Sequence, residues 1–234
     1  MNLKISQDVL NRWVFNSRIY DLHVKEFMLG QTKKYLSKEK VTIDVGAATG
    51  IYSHFFAQHS AYVFSYEAVP VIYNQLYKLE SIHNNIITMP KAVSNFEGMT
   101  DFYVDDKRLS NNSFTNLVNG QKIKVETILL DNEDLGIIGF IKIDVEGHEF
   151  EVLEGAKKII DLYKPTCMVE IYPKFNKGPI EKTFNFFFER HYKCFYNHKG
   201  KGLITVENIK DGIEIAKDEK MIKLHDGDFL FSVK

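Results

Sequence analysis

Two short apolar segments of the chain each end abruptly in an acidic turn. Residues 140–149 (FIKIDVEGHE) pass from an apolar run into three carboxylates and a histidine, and a helix-forming segment follows at once. Residues 41–50 (VTIDVGAATG) make a similar exit from a strand into a turn. Because open α/β sheets hold their ligands at the carboxyl ends of their strands, the two exits predict one sheet with a shared crevice at that edge.

The composition is typical of a globular protein with almost no net charge. The chain has 234 residues, of which 44% are apolar, so it can bury a sizeable core. We expect a helical extension over residues 1–40 and one domain over residues 41–234. Thirty basic and thirty-one acidic residues give a formal charge of -1. No global field therefore draws the protein to nucleic acid or to an anionic membrane, and we expect neither as a partner.

The order of the apolar runs indicates the fold class. From Val41 onward, β-branched runs alternate with helical patterns, which is typical of a parallel sheet covered by helices on both faces. The predicted strands of this sheet are residues 41–45, 61–66, 85–89 with an exit at 91–94, 138–145 and 166–171, with two further extended segments at 99–104 and 122–130. The predicted helices are residues 51–58, a segment around Ile72 and Leu76, a segment around Val152 to Ile160, and residues 180–190. We expect residues 192–196 and 229–233 to pair late in the chain, separated by a charged stretch.

Other parts of the sequence predict packing helices, an exposed loop and the cellular compartment. Residues 13–36 have helical spacing and read as one or two packing helices, with a lid or a dimer contact as the alternative. Residues 110–116 have the composition of an exposed loop. Cys167 and Cys194 lie in apolar runs, which favours buried thiols in a reducing compartment. Since the first residues lack the layout of a signal peptide and no uncharged stretch could span a bilayer, we expect a cytoplasmic protein.

The turn after the first strand indicates a ligand that carries a positive charge close to Asp44. Asp44 precedes a turn with Gly46 and Gly50, in G-x-x-x-G spacing rather than the G-x-G-x-x-G of a dinucleotide fold. The glycines would let the backbone approach a ligand, and Asp44 would suit the amino group of an amino-acid tail. The alternative is that a tight turn from strand to helix needs glycine for steric reasons alone.

A second acid follows the next predicted strand. Glu67 could accept hydrogen bonds from both hydroxyls of a ribose, because the two oxygens of a carboxylate match a cis-diol. Ala92, at the exit of the third strand, would lie beside the base of such a nucleoside. The alternative for Glu67 is a solvated glutamate at the end of a strand.

The fourth strand carries the densest polar cluster. Strand alternation puts Lys142 and Asp144 on one face, and because a lysine inside a central strand is costly unless it is paired, we expect the two in one polar network. Asp144, Glu146 and His148 then crowd the following turn, where repulsion and burial should shift their pKa values and keep a base available near neutral pH.

A family resemblance covers residues 41–172. It is carried by DVGA from Asp44, Glu67 with Pro70, residues 129–131, KIDVEG from Lys142, Glu149, VLEGA from Val152, and Glu170 after Pro165. Together these resemble the FkbM family of S-adenosylmethionine-dependent methyltransferases. The resemblance implies a class I methyltransferase fold, Rossmann-like, with a mostly parallel seven-stranded sheet whose last strand is antiparallel, and usually O-methylation of a sugar or small-metabolite hydroxyl. It implies that Asp44, Gly46 and Gly50 match the cofactor loop, that Glu67 matches the ribose acceptor, and that Asp144 faces the reacting methyl group.

These observations lead to one main hypothesis. We expect an S-adenosylmethionine-dependent O-methyltransferase in which Asp144, Glu146 and His148 include the groups that activate the acceptor. We assign no metal ligand, although the carboxylates and His148 could instead hold a divalent cation. Two further classes of protein stay open. One is an NAD-dependent oxidoreductase of Rossmann type, and the second is an inert nucleoside-binding or scaffold protein whose acids only cap the next helix.

Overall fold

Parallel strands form the centre of the protein, as the runs of β-branched residues predict. The structure is a computed structural model and describes residues 9–11, 30–105, 120–174, 176, 178–198, 202–218, 220 and 228–233. The strands in these residues are β1 Val41–Val45, β2 Val63–Tyr66, β3 Ile86–Met89, β4 Ala92–Val93, β5 Gly98–Asp105, β6 Gly120–Ile128, β7 Ile138–Ile143, β8 Thr166–Glu170, β9 Lys193–His198, β10 Gly202–Val206 and β11 Asp228–Ser232.

Eight of the described strands form one large sheet. Its order is β10-β9-β11-β8-β7-β1-β2-β3. The strands from β3 to β8 in this order pair in parallel, whereas β11 pairs antiparallel with both β8 and β9. This confirms the class I methyltransferase fold with an antiparallel last strand. The described sheet has one strand more than expected, because β10 forms within the charged stretch that separates the last pair.

Helices cover both faces of the large sheet, as expected. They are α1 Ile51–Ala57, α2 Pro70–Leu76, α3 Glu149–Gly155, α4 Lys157–Tyr163, α5 Glu181–Phe188 and α6 Ile209–Lys217, with short 3-10 turns at Lys33–Tyr35, Tyr77–Ser81 and Leu130–Asn132. Alternation within β7 separates the two faces. Ile141 packs into the core with α3 to α6, whereas Phe140 packs with Phe56 of α1.

A second, smaller sheet packs beside the first. Its order is β4-β6-β5, with β4 parallel and β5 antiparallel to β6. Of the predicted exit of the third strand, Ala92 and Val93 therefore form a strand of this second sheet. Ala92 lies in a separate apolar cluster with Val69 and Ile72, and Leu10 packs into the same cluster.

Some of the predicted segments lie outside the described residues. The loop at residues 110–116 is one of them, and so are residues 13–29 of the predicted packing helices. Residues 9–11 and 30–35, on either side, are helical. Among the described helices, none combines the length and the apolar character that crossing a bilayer requires.

The close packing of α3 against the exit of β4 provides a test of the fold. A Cβ added at Gly155, the last residue of α3, would lie 1.9 Å from the carbonyl oxygen of Ser94. We expect Gly155→Ala to lower the free energy of unfolding by about 1–3 kcal/mol, because backbone must move to relieve the overlap. Urea unfolding measures this change.

The matched control is Gly178→Ala. An added Cβ there has no atom within 4 Å, so its effect should stay within about 0.5 kcal/mol. Equal stabilities for the two variants would show that α3 does not lie against β4 as described.

Candidate active site at the carboxyl edge of the sheet

Four neighbouring strands present an acid at one edge of the large sheet. β2, β1, β7 and β8 are adjacent and parallel, so their carboxyl ends share that edge. Asp44 lies in β1 just before its end, and Glu67 directly follows β2. Asp144 directly follows β7, and Glu170 ends β8. The two acidic exits seen in the sequence therefore open on the same side of the molecule.

Lys142 connects the exits of β1 and β7. It lies opposite Asp44 in the register of the two strands. Its Nζ is 3.4 Å from Asp44 Oδ1 and 3.3 Å from Asp144 Oδ2, and its side chain is 3% exposed. The same Nζ donates to the carbonyl oxygen of Gly46 at 3.4 Å and lies 4.7 Å from the centre of the Tyr52 ring. The expected network of Lys142 and Asp144 is thereby confirmed.

Asp44 is held from both sides inside the protein. Asp44 is fully buried, and the Ser53 hydroxyl of α1 donates to Asp44 Oδ2 at 2.6 Å. The Ser65 hydroxyl of β2 donates in turn to Ser53 Oγ at 2.8 Å. Because Lys142 lies on the other side, the carboxylate of Asp44 fixes the start of α1 against the sheet. Its predicted contact with a cofactor stays a prediction.

The turn between β1 and α1 folds back on the protein itself. Gly46, Ala48 and Gly50 have φ angles of 73°, 51° and 81°, so the turn visits the left-handed region three times. A Cβ at Gly46 would lie 1.8 Å from the carbonyl oxygen of Asp144, and one at Gly50 would lie 2.3 Å from Leu79 Cδ1. The missing side chains therefore make room for protein atoms, which was the steric alternative. Contacts of this backbone with a cofactor stay predicted.

Glu67 ties the exit of β2 to the same turn. Its Oε2 accepts from the Ala48 N–H at 3.1 Å, and its Oε1 accepts from the Val69 N–H at 2.8 Å. Burial raises the pKa of Glu67 to about 7, although these two hydrogen bonds oppose the shift. Each carboxylate oxygen has a second acceptor position, so Glu67 can still accept from a ligand.

The turn after β7 concentrates negative charge. The side chain of Asp144 is 34% exposed, and Glu146 has a positive φ of 54°. Three carboxylate oxygens lie within 4.8 Å of one another, one each from Asp144, Glu146 and Glu170. Glu149 is 2% exposed, and its Oε1 accepts from the N–H groups of Val145 and Gly147. Glu149 therefore holds the turn that carries Glu146.

Burial and repulsion raise the pKa values of Glu146, Glu149 and Glu170. Burial, followed by the charges of Asp144 and Glu149, raises the pKa of Glu146 to about 9. Burial also raises the pKa of Glu149 to about 7, against its backbone hydrogen bonds. The pKa of Glu170 is raised by burial and by the neighbouring carboxylates, including Asp228. The edge therefore favours either protons or an added positive charge.

His148 lies beside the carboxylate cluster but is held by other partners. Its Nε2 is 2.9 Å from Ser94 Oγ, and its Nδ1 is 3.6 Å from Glu151 Oε2. Burial lowers the pKa of His148 to about 4, so the ring is neutral at pH 7. Ser94 is fully buried and so cannot act as a nucleophile on an external substrate. The structure thus brings Asp144 and Glu146 together and turns His148 toward the small sheet.

Sequence reasoning missed several members of this site. Glu170 had no assigned role. It lies at the end of a buried strand, so the rule that strand ends hold ligands, which identified Glu67, could also have identified Glu170. Asp228 begins β11 directly opposite Glu170, so its position depends on the antiparallel pairing of β11. Ser53 and Ser65 carry no sequence signal, because their hydrogen bonds exist only once α1 packs on the sheet. Ala92 is 7% exposed, and its predicted contact with a base stays a prediction.

Comparisons with known proteins agree with this architecture. The model of the methyltransferase FkbM domain matches residues 44–194, which is more than half of the chain. A search of curated proteins found no match.

Several of the solved structures that the chain is similar to are described as methyltransferases or methylases. A methyltransferase FkbM from Methylobacillus flagellatus is 14% identical with a TM-score of 0.50, and the alignment covers 83% of this chain and 44% of that chain. The candidate methyltransferase SMU.1697c from Streptococcus mutans, solved in complex with SAH, is 10% identical with a TM-score of 0.50, over 89% of this chain and 97% of that one. A candidate rRNA methylase from Clostridium thermocellum is 10% identical with a TM-score of 0.46, over 99% and 96% of the two chains. The chain thus spans less than half of the Methylobacillus protein, and the first two structures share its fold.

The raised pKa values predict how stability depends on pH. Glu146 binds its proton more tightly in the folded protein than in the unfolded chain, so unfolding releases protons between the two pKa values. The free energy of unfolding should therefore fall as pH rises from about 6.5 to 9, a window above the ordinary pKa of histidine. One such group contributes a slope of at most about 1.4 kcal/mol per pH unit.

Glu146→Gln should make this decline shallower. Urea unfolding at several pH values within the window measures the slope for wild type and variant. Glu214→Gln removes an equal charge from a side chain that is 68% exposed and should leave the slope unchanged. A stability that rises with pH in the wild type would contradict the described burial of these carboxylates.

Proposed function

Because the chain belongs to the FkbM family of methyltransferases, we propose that it transfers a methyl group from S-adenosylmethionine to a hydroxyl group of a sugar, a glycan or a small metabolite. The single observation that carries the proposal is the position of Lys142, whose Nζ pairs with Asp44 at the exit of β1 and with Asp144 at the exit of β7. A donor pocket and an acceptor site on one edge are what group transfer requires.

The residues at the exits of β1 and β2 suit a nucleoside with a cationic tail. Glu67 has acceptor capacity left after its two backbone hydrogen bonds, which suits the hydroxyls of a ribose. Asp44, Gly46 and Gly50 form the adjoining turn, and we assign them to the binding of the amino-acid part. When bound, S-adenosylmethionine supplies a methyl group on a positively charged sulfur. The SAH in the Streptococcus mutans structure supports this choice of cofactor.

The carboxylates after β7 suit an acceptor that must lose a proton. A hydroxyl oxygen becomes a stronger nucleophile as its proton is removed, and a positioned carboxylate can accept that proton. Asp144 is partly exposed, and its Oδ2 lies 3.3 Å from Lys142 Nζ. We assign proton acceptance to Asp144. Glu146, whose pKa is about 9, is protonated at pH 7 and can donate a hydrogen bond to the acceptor.

His148 has a more restricted part in the proposal. Its neutral ring could accept a proton, but both ring nitrogens already face protein groups, Ser94 and Glu151. We therefore assign His148 to accepting a proton only if its contact with Ser94 opens. The acceptor would then approach from the side of the small sheet.

Calorimetry with three ligands separates the candidate functions. We expect the protein to bind S-adenosylmethionine and S-adenosylhomocysteine and to ignore NAD. Binding to NAD alone would favour the oxidoreductase, and binding to none of the three would favour an inert scaffold. The acceptor is then sought by offering methyl-deuterated S-adenosylmethionine with glycans, metabolite extract and RNA, and by detecting labelled products by mass spectrometry. A labelled RNA as the product would contradict the proposed acceptor class.

Substitution of the acceptor side should separate turnover from binding. Asp144→Asn keeps the size of the side chain and should lower turnover at least about a hundredfold, because it removes the proton acceptor. His148→Ala should also lower turnover. Affinity for S-adenosylhomocysteine should survive in both variants, and Glu214→Gln should match wild type in both measurements. Unchanged turnover in either variant would remove that residue from the mechanism.

A further inference from the structure

The carboxylates of Asp144, Glu146 and Glu170 have the spacing of ligands around one ion. Their three oxygens lie within 4.8 Å of one another. Oxygen ligands lie about 2.0–2.6 Å from Mg²⁺ or Ca²⁺, so two ligands on opposite sides of such an ion are about 4–5 Å apart. One ion can therefore contact all three side chains with small adjustments. Asp144 and Glu146 come from the turn after β7, and Glu170 comes from the end of β8.

Two buried carboxylate oxygens beside this cluster have no hydrogen-bond donor in the described part of the chain. They are Oε2 of Glu146 and Oε2 of Glu149. Glu149 is 2% exposed, and its other oxygen is fixed by the turn that carries Glu146. A buried polar atom without a partner destabilises the protein, and more so when it is charged. A missing positive partner at this edge explains both atoms.

The described residues offer little positive charge to the cluster. Lys142 is the cation that reaches this edge in the described ion pairs, and its Nζ is already shared by Asp44, Asp144 and the carbonyl oxygen of Gly46. Asp228 lies opposite Glu170 and adds a further carboxylate. Among the described residues, the charge balance therefore leaves room for a cation from solution.

We infer that Asp144, Glu146 and Glu170 bind a hard divalent cation of the Mg²⁺ or Mn²⁺ type. Ligands that are all carboxylate oxygens suit Mg²⁺, Mn²⁺ or Ca²⁺ rather than the softer Zn²⁺ or Cu²⁺. His148 is not a ligand, because its ring faces Ser94 and Glu151. Binding of the cation does not depend on methyl transfer by this protein. The role of the cation in the reaction, in contrast, rests on the proposed function.

That role is to hold and acidify the acceptor. Three protein ligands leave coordination positions that water or an acceptor hydroxyl can occupy. A hydroxyl bound to a divalent cation loses its proton more readily, and the proton passes to a water molecule. With the cation bound, Asp144 acts as a ligand that places the acceptor oxygen beside the methyl donor. In the absence of the cation Asp144 takes the proton, as assigned above, and in its presence the three carboxylates hold the ion.

Manganese binding tests the inference directly. Mn²⁺ is titrated into the purified protein, and free Mn²⁺ is measured by electron paramagnetic resonance. We expect one bound ion in the wild type. Glu170→Gln should weaken binding at least about tenfold, since loss of groups that merely support a ligand already costs 10–100-fold. Glu214→Gln removes the same charge from the exposed surface and should bind Mn²⁺ as wild type does.

A second readout tests the position of the ion. Bound Mn²⁺ should broaden the resonance of [methyl-¹³C]S-adenosylmethionine in wild type and leave it sharp in Glu170→Gln. No Mn²⁺ binding in the wild type, or equal binding by Glu170→Gln, overturns the inference. Calorimetry with S-adenosylhomocysteine is run on the same samples. Cofactor binding without Mn²⁺ binding leaves the proposed function standing, and loss of both points to its failure.

Discussion

The ammonium group of Lys142 is the interaction on which the site depends. Lys142 lies near the end of a central strand with its side chain 3% exposed, so its ammonium group has lost its water, and only close carboxylates make that burial tolerable. Asp44 and Asp144 supply them at 3.4 Å and 3.3 Å. Because these two acids belong to different strand exits, one charge fixes the turn before α1 and the turn after β7 relative to each other. The relative position of the two strand exits is therefore a consequence of core packing rather than of loop conformation.

This arrangement leaves an excess of negative charge at the same edge. Burial raises the pKa of Glu67, Glu146 and Glu149, because each is removed from water without a cation of its own. Such an edge is less stable than an apolar one would be, and active sites commonly carry strain of this kind. A positively charged donor and a divalent cation would both relieve it. The instability of this edge and the ligand binding proposed for it would thus have one electrostatic origin.

The fold could be predicted well from the sequence because its central strands are buried on both faces. β1 was predicted at its observed bounds, since a run of β-branched residues, here interrupted only by Asp44, is typical of such a strand. β10 was not predicted, although residues 203–206 read LITV, because this short run lies within a charged, glycine-containing stretch. The same contrast applies to the site. Asp44, Glu67 and Asp144 follow from the rule that strand ends hold ligands, whereas the partners of His148 depend on where the small sheet packs.

A double-mutant cycle on Lys142 and Asp44 tests the central claim most directly. Lys142→Met leaves Asp44 buried without its cation, and Asp44→Asn removes part of the charge that holds Lys142. Each single substitution should lower the free energy of unfolding by about 3–5 kcal/mol, as for other buried pairs that lose one partner. Because the second substitution removes a charge that the first left unpaired, the double variant should lose clearly less than the sum of the two. Additive losses would show that the two side chains do not interact, and would contradict the account.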